Sequence, residues 1–125
     1  MIVLDTSAVV DCITGKRASY SRLLSLMEGE RHLMLPSVAL FEWLRGPRNE
    51  QEIETQELLF PSSLALYFGP QEAKVAAEIY RAVPRARGRQ LDIAIAATAI
   101  SHRAFLWTLN REDFEDIPGL KLVDP

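Results

Sequence analysis

The chain opens on Ile2-Val3-Leu4, a continuous run of strand-forming residues that stops on a carboxylate, Asp5. An apolar run without alternation fits a strand buried on both faces, as in a parallel sheet. Thr6 and Ser7 follow as hydroxyl caps for a short helix over residues 8–13. Asp5 therefore stands at the carboxyl end of a central strand, where open α/β sheets present their ligands. Packing gives little reason for an acid there. A helix-cap or turn acid is the competing reading, and this stretch alone leaves both open.

Further short apolar runs read as strands two to five: Leu33-Met34-Leu35, Leu64-Ala65-Leu66-Tyr67-Phe68, Phe105-Leu106-Trp107-Thr108 and Leu120-Lys121-Leu122-Val123. Helical patterns separate them. Residues 20–27 carry Leu23, Leu24, Leu26 and Met27 on one side and end at Glu28-Gly29-Glu30. Residues 38–45 have Ser37 as a cap and Gly46-Pro47 as a stop. Residues 49–60 are acidic and read as a solvated helix whose glutamates form no site. Gly69-Pro70 opens a helix over residues 70–83, with Ala73, Ala76, Ala77 and Tyr80 inward and Pro84 as its stop. Strands alternating with helices imply an α/β fold with a mainly parallel sheet.

At 125 residues the chain reads as one domain, able to bury a core without disulfides or structural metal. The single cysteine, Cys12, sits in an apolar run and is expected to be a small buried hydrophobe. Net charge is -3, which argues against a protein that coats nucleic acid but leaves room for a local basic patch. Neither a basic segment leading into an apolar one nor an apolar run near 18 residues is found, so no membrane association and a cytoplasmic location are expected.

Three further acids stand in apolar surroundings. Apolar side chains cover nearly the whole circumference of the 38–45 helix, so burial is expected, and Glu42 then needs a partner, either Arg45 three residues on or a metal. Asp92 is the only charge in Leu91-Asp92-Ile93-Ala94-Ile95-Ala96-Ala97-Thr98-Ala99-Ile100, a core helix whose alanines permit close approach to the sheet. An acid in a first helical turn also suits the helix dipole. Asp113 follows the fourth strand. His32 and His102 fall near strand starts, at the other end of the sheet, and read as surface or cap residues. Carboxylates without His or Cys specify a hard cation, Mg²⁺ or Mn²⁺, and such sites activate water for phosphate-ester hydrolysis.

Taken together, these segments resemble the PIN domain family, and within it the VapC-type ribonuclease toxins of toxin–antitoxin pairs. The likeness rests on Val3-Leu4-Asp5-Thr6-Ser7-Ala8, Ser37-Val38-Ala39-Leu40-Phe41-Glu42, the Asp92 segment, and Thr108-Leu109-Asn110-Arg111-Glu112-Asp113-Phe114, which occur in family order over essentially the whole chain. The resemblance implies a three-layer α/β/α sandwich around a five-stranded sheet, as a single PIN domain over residues 1–125. It implies a metal cluster at Asp5, Glu42, Asp92 and Asp113, supported by Thr6 and Asn110. It also implies cleavage of RNA by metal-activated water, a homodimer, and inhibition by a cognate VapB-type antitoxin. Arg85, Arg87 and Arg89, in an arginine-rich loop just before Asp92, would then track the RNA backbone. The segment between Glu42 and Asp92 is compact where these toxins commonly carry a longer helical insertion.

Two rival readings remain: an aspartyl-phosphate phosphatase or receiver-like domain with Asp5 as nucleophile, and a catalytically silent PIN-fold binding module. The phosphatase pattern wants a second acid two residues after the first, where Ser7 stands. Among the late polar residues Asp113 is taken as the fourth acid. A helical turn over residues 110–116 would put Asn110, Asp113 and Phe114 on one face, leaving Glu112 and Glu115 elsewhere and Asp116 exposed and dispensable.

Overall fold

β1 (Ile2–Leu4) is an inner strand of a parallel sheet with the order β2 (Leu33–Met34), β1, β3 (Phe105–Trp107), β4 (Lys121–Leu122). The computed structural model describes residues 1–29 and 31–125. Glu30, read above with Glu28 and Gly29 as a helix end, lies outside the described residues. Register is Ile2 opposite Leu33 on one side and Phe105 on the other, with Leu4 opposite Trp107. Ile2, Val3 and Leu4 are all fully buried. Successive strand side chains point to opposite faces, so both faces of the sheet are covered, as the unbroken apolar run requires.

Six helices surround the sheet among the described residues: α1 (Thr6–Ile13), α2 (Tyr20–Glu28), α3 (Ser37–Arg45), α4 (Glu50–Leu59), α5 (Pro70–Ala82) and α6 (Gln90–Ser101). Their starts follow local chemistry. Asn49 and Glu52 form a reciprocal capping box on α4. The backbone N–H of Gly69 donates to Glu72 at 3.0 Å, and Pro70 occupies the first helical position of α5. α6 buries every residue from Ile93 to Ala99, and its alanines let it pack closely on α3, α5 and β3. Cys12 is fully buried; burial, then Asp11, pushes its thiol up to about 12, opposed by Arg17, so it serves as a small hydrophobe. No described helix is long and apolar enough to cross a membrane.

The structure corrects four local expectations. The sheet has four strands, not five. Residues 64–68 contribute a single bridge, Leu66 to Pro36, with Ser37 N–H donating to Leu66 at 2.8 Å and Leu66 N–H to Leu35 at 2.9 Å. A 3₁₀ turn (Ser62–Leu64) precedes it and Gly69-Pro70 follows, while Pro36 on the facing side has no N–H to extend the ladder. Thr6 and Ser7 are not caps: Asp5 is the N-cap of α1, and Ser37 is the first residue of α3 behind Pro36. α3 is not buried all round, since only Ala39 and Trp43, one turn apart, are buried while Phe41 and Leu44 are half exposed. In α5 the inward residues are Val75, Ala76 and Ile79, while Ala73, Ala77 and Tyr80 are exposed. A helix whose apolar side chains nearly encircle it carries no phase information, and the neighbours decide which stripe is covered.

Leu106→Ala, in β3 at 0% exposure, is expected to cost about 2–5 kcal/mol in urea unfolding. Leu58→Ala, at 84% exposure on α4, is expected to stay within about 0.5 kcal/mol of the parent protein.

Candidate active site

The order β2-β1-β3-β4 means the chain leaves β1 to one side and later returns to the other, so the carboxyl ends of β1 and β3 flank a topological switch point. Asp5 stands there, 4% exposed. Its Oδ1 accepts from Ser7 Oγ at 2.7 Å and from the Ala8 N–H at 3.0 Å, and its Oδ2 accepts from Thr108 Oγ1 at 2.6 Å. The hydroxyls are themselves oriented. Ser7 Oγ accepts from Leu109 N–H at 3.1 Å, and Thr108 Oγ1 accepts from Asn110 N–H at 2.9 Å. With a lone pair of each oxygen taken by a backbone N–H, both hydroxyl protons point at Asp5. Burial pushes the Asp5 carboxyl up; the bonds from Ser7, Thr108 and Ala8 pull it down, and Glu42 adds a smaller upward push. The cap reading of Asp5 is therefore correct, and the same carboxylate stands at the switch point between β1 and β3.

Glu42, on α3, accepts from Thr6 Oγ1 at 2.7 Å through Oε1 and pairs with Arg45 at 3.3 Å through Oε2. The arginine is half exposed, so the pair is weak, and the hydroxyl contact does more to orient Glu42. Asp92, in the first turn of α6, has no hydrogen-bond or ion-pair partner among the described residues. Its carboxyl is pushed up to about 6, first by burial, then by Asp113, Glu42 and Asp5, with Arg89 opposing. The four expected acids therefore act on one another, and Asp92 feels the other three. Asp113 ends a 3₁₀ turn (Arg111–Asp113) that Asn110 precedes, and Phe114 directly after it is buried and anchors the turn. Asp113 is itself exposed, as are Asn110, Glu112, Glu115 and Asp116.

Ser7 and Thr108 were missed as parts of the site by reading the sequence. Their signal is the register: Leu4 pairs with Trp107, so the next residues along, Asp5 and Thr108, leave their strands side by side. Arg89 was expected to touch substrate. Its guanidinium is instead committed to Asp116, at 2.7 and 3.0 Å, and to the carbonyls of Asp113 and Pro84. Asp116 is consequently not a bystander. Arg85 and Arg87 are exposed on the loop before α6. His102 caps α6, its ring contacting the Thr98 carbonyl, away from the acids.

The donor set suits a hard divalent cation, since the acids that act on Asp92 are carboxylates without His or Cys and Asp92 has no ion-pair partner among the described residues. No three such side chains converge into a ready-made ligand cage among the described residues. Mg²⁺ does not ask for one, because it is held by one or two carboxylates and keeps several waters. Charge therefore fits the cation, while the residues offer an open site.

A model of the family described as PIN domain matches residues 2–120. No curated protein matches the chain by sequence. Among solved structures, a chain of VapBC2 from Rickettsia felis bound to a promoter DNA fragment aligns with TM-score 0.74 and 23% identity, covering 98% of each chain. A chain of FitAcB from Neisseria gonorrhoeae aligns with TM-score 0.74 and 20% identity, over 100% of this chain and 98% of that one. DNA-bound VapBC from Salmonella typhimurium gives TM-score 0.73 and 22% identity, over 98% and 96%.

A raised Asp92 carboxyl means the folded chain binds more protons than the unfolded one between roughly pH 4 and 6, so stability falls as pH rises through that window. In chelator at pH 7.5, Asp92→Asn is expected to melt higher than the parent, by on the order of 1–2 kcal/mol after allowance for solvent screening. The gain is expected to shrink on acidification towards pH 4. A variant melting lower at pH 7.5 would show that repulsion does not govern this acid.

Proposed function

The chain belongs to the PIN domain family, and from that premise we propose that it is a Mg²⁺- or Mn²⁺-dependent endoribonuclease, the toxin of a VapBC-type toxin–antitoxin pair. The observation that supports this reading is Asp92, which has no hydrogen-bond or ion-pair partner among the described residues and whose carboxyl is pushed up by burial and by Asp113, Glu42 and Asp5. Asp5 and Asp92 would hold the cation, with Glu42 and Asp113 completing the negative wall. When bound, the cation supplies Lewis-acid polarisation of the phosphodiester and makes water a nucleophile near neutral pH.

The remaining work falls to the chain itself. Ser7, Ala8 and Thr108 fix Asp5 in angle and oppose the upward push of burial on its carboxyl, so that it presents its oxygens without reorganising. Thr6 does the same for Glu42. Asn110 sits beside this network, its N–H spent on Thr108 and its side-chain amide available to substrate or water. Arg85 and Arg87, exposed next to α6, are the basic groups we assign to the RNA backbone, which lets an acidic protein take an anionic substrate. The phosphatase-like alternative wants a second acid two residues after Asp5, where Ser7 stands and donates its hydroxyl to Asp5 instead.

For partners we propose a cognate VapB-type antitoxin and a second copy of this chain. The VapBC structures named above are complexes, and apolar Phe41, Leu44 and Leu58 are left uncovered on α3 and α4 here. In this reading the whole of residues 1–125 is one PIN domain in the cytoplasm.

Purified protein is expected to cleave RNA with Mg²⁺ or Mn²⁺ and to stop in EDTA. Asp5→Asn and Asp92→Asn are each expected to lower the rate by at least about 100-fold with circular dichroism unchanged. Cleavage that persists in EDTA, with the Asp5→Asn protein as contamination control, would defeat the nuclease reading; no cleavage under any condition would favour a silent PIN-fold module. Expressed alone, the chain is expected to arrest growth and to run as a dimer by light scattering. A monomer that is harmless when overexpressed would count against the toxin and dimer assignments together.

A further inference from the structure

One ion pair outside the acid cluster joins the segments that carry Asp92 and Asp113, the two acids without a side-chain partner among the described residues. Arg89 ends the loop leading into α6, three residues before Asp92. Asp116 lies three residues after Asp113. The guanidinium of Arg89 binds Asp116 in a two-pronged arrangement, Nη2 to Oδ1 at 2.7 Å and Nη1 to Oδ2 at 3.0 Å. The same Nη2 donates to the Asp113 carbonyl at 2.9 Å, and the same Nη1 donates to the Pro84 carbonyl at 3.1 Å. A single side chain thus closes the 84–89 loop on itself and fastens it to the turn that presents Asp113.

The loop needs fastening. It contains Arg85 at φ 55 and Gly88 at φ 88, both left-handed, and the first of these is costly for a residue with a Cβ. The turn needs it as well. Asp113 repels Asp92, so without a tether the easiest relief is for the 3₁₀ turn to swing outward. Arg111 ties the turn's start to the Val123 carbonyl at 2.6 Å, and Phe114 roots it in the core. The Asp113 carbonyl, at the turn's other end, is held by Arg89.

We propose that Arg89 and Asp116 form a positioning clamp that holds Asp113 against Asp92, so that Arg89 acts on the site through its geometry and not through RNA. This rests on the nuclease reading for its consequence but not for its existence. A planar fork is what two parallel bonds and two carbonyl contacts demand, and a lysine ammonium does not reproduce it. The clamp works as a unit, so breaking it from either side has one effect. An RNA-contacting arginine behaves otherwise: Arg89→Lys would be mild, and Asp116→Asn would free the arginine and tighten RNA binding.

The test uses full-length Arg89→Lys, Asp116→Asn and the double variant. Amide hydrogen exchange on cation-free, RNA-free protein is expected to speed up by about 10-fold or more at residues 110–116 in all three, with Ile95 and Leu106 unchanged. In cleavage, kcat is expected to fall about 10-fold in each single variant with KM within about twofold, and the double variant is expected to be no worse than either, as for residues in one network. Unchanged exchange at 110–116 overturns the clamp. So does exchange that rises equally throughout the chain, or a KM that rises in Arg89→Lys and falls in Asp116→Asn. Because exchange is read without cation or RNA, a parent protein that cleaves nothing removes the nuclease reading and leaves the clamp to be decided by exchange alone.

Discussion

The end of the sheet where β1 and β3 finish depends on holding one carboxylate, Asp5, where water is almost excluded. A buried carboxylate without partners would take up a proton or oppose folding by several kcal/mol. Asp5 offsets part of this by accepting from two hydroxyls and one backbone N–H, which oppose the upward push of burial without cancelling it, and each hydroxyl is turned towards it by a backbone N–H from the segment after β3. The arrangement also has a mechanical result. It starts α1, joins the ends of β1 and β3, and fixes the backbone at Leu109 and Asn110, so one acid locates the segment that leads to another.

Around this anchor the acids divide into two kinds. Asp5 and Glu42 are held by hydroxyls and have settled orientations. Asp92 has no such donor among the described residues, and its carboxyl rises to about 6. That contrast is what a cation site on a small sheet requires. Fixed acids set direction, whereas the unpartnered acid leaves a deficit of positive charge that a divalent ion can fill. A carboxyl raised in this way is expected to cost the folded chain stability above its pKa when no cation is bound.

Much of this could be read in the residues. Ile2-Val3-Leu4 could only be an inner strand, and its full burial between two parallel neighbours follows from that run. The alanines of α6 and the lone Asp92 among them announced a core helix with an acid at its start. Phe114, four residues beyond Asn110, rooted the turn as its spacing implied. Other features were not legible for identifiable reasons. Residues 64–68 have strand composition, but prolines on both sides of the pairing leave room for a single bridge. α3 is apolar nearly all round, so its sequence could not say that Phe41 and Leu44 would face outward.

What the sequence by itself determined is everything set by covalent neighbours: the strand and helix periods, the capping box of Asn49 and Glu52, and the placing of acids at the ends of elements. Only the tertiary structure decided which donor meets which acid. Thr108 reaches Asp5 across 103 residues, Thr6 reaches Glu42 across 36, and Arg89 reaches Asp116 across 27. An arginine in a basic loop looks the same in sequence whether it awaits a phosphate or already holds a carboxylate. The difference lies in strand register and loop closure, which bring the partner within about 3 Å or leave it in solvent, and no local pattern encodes that distance.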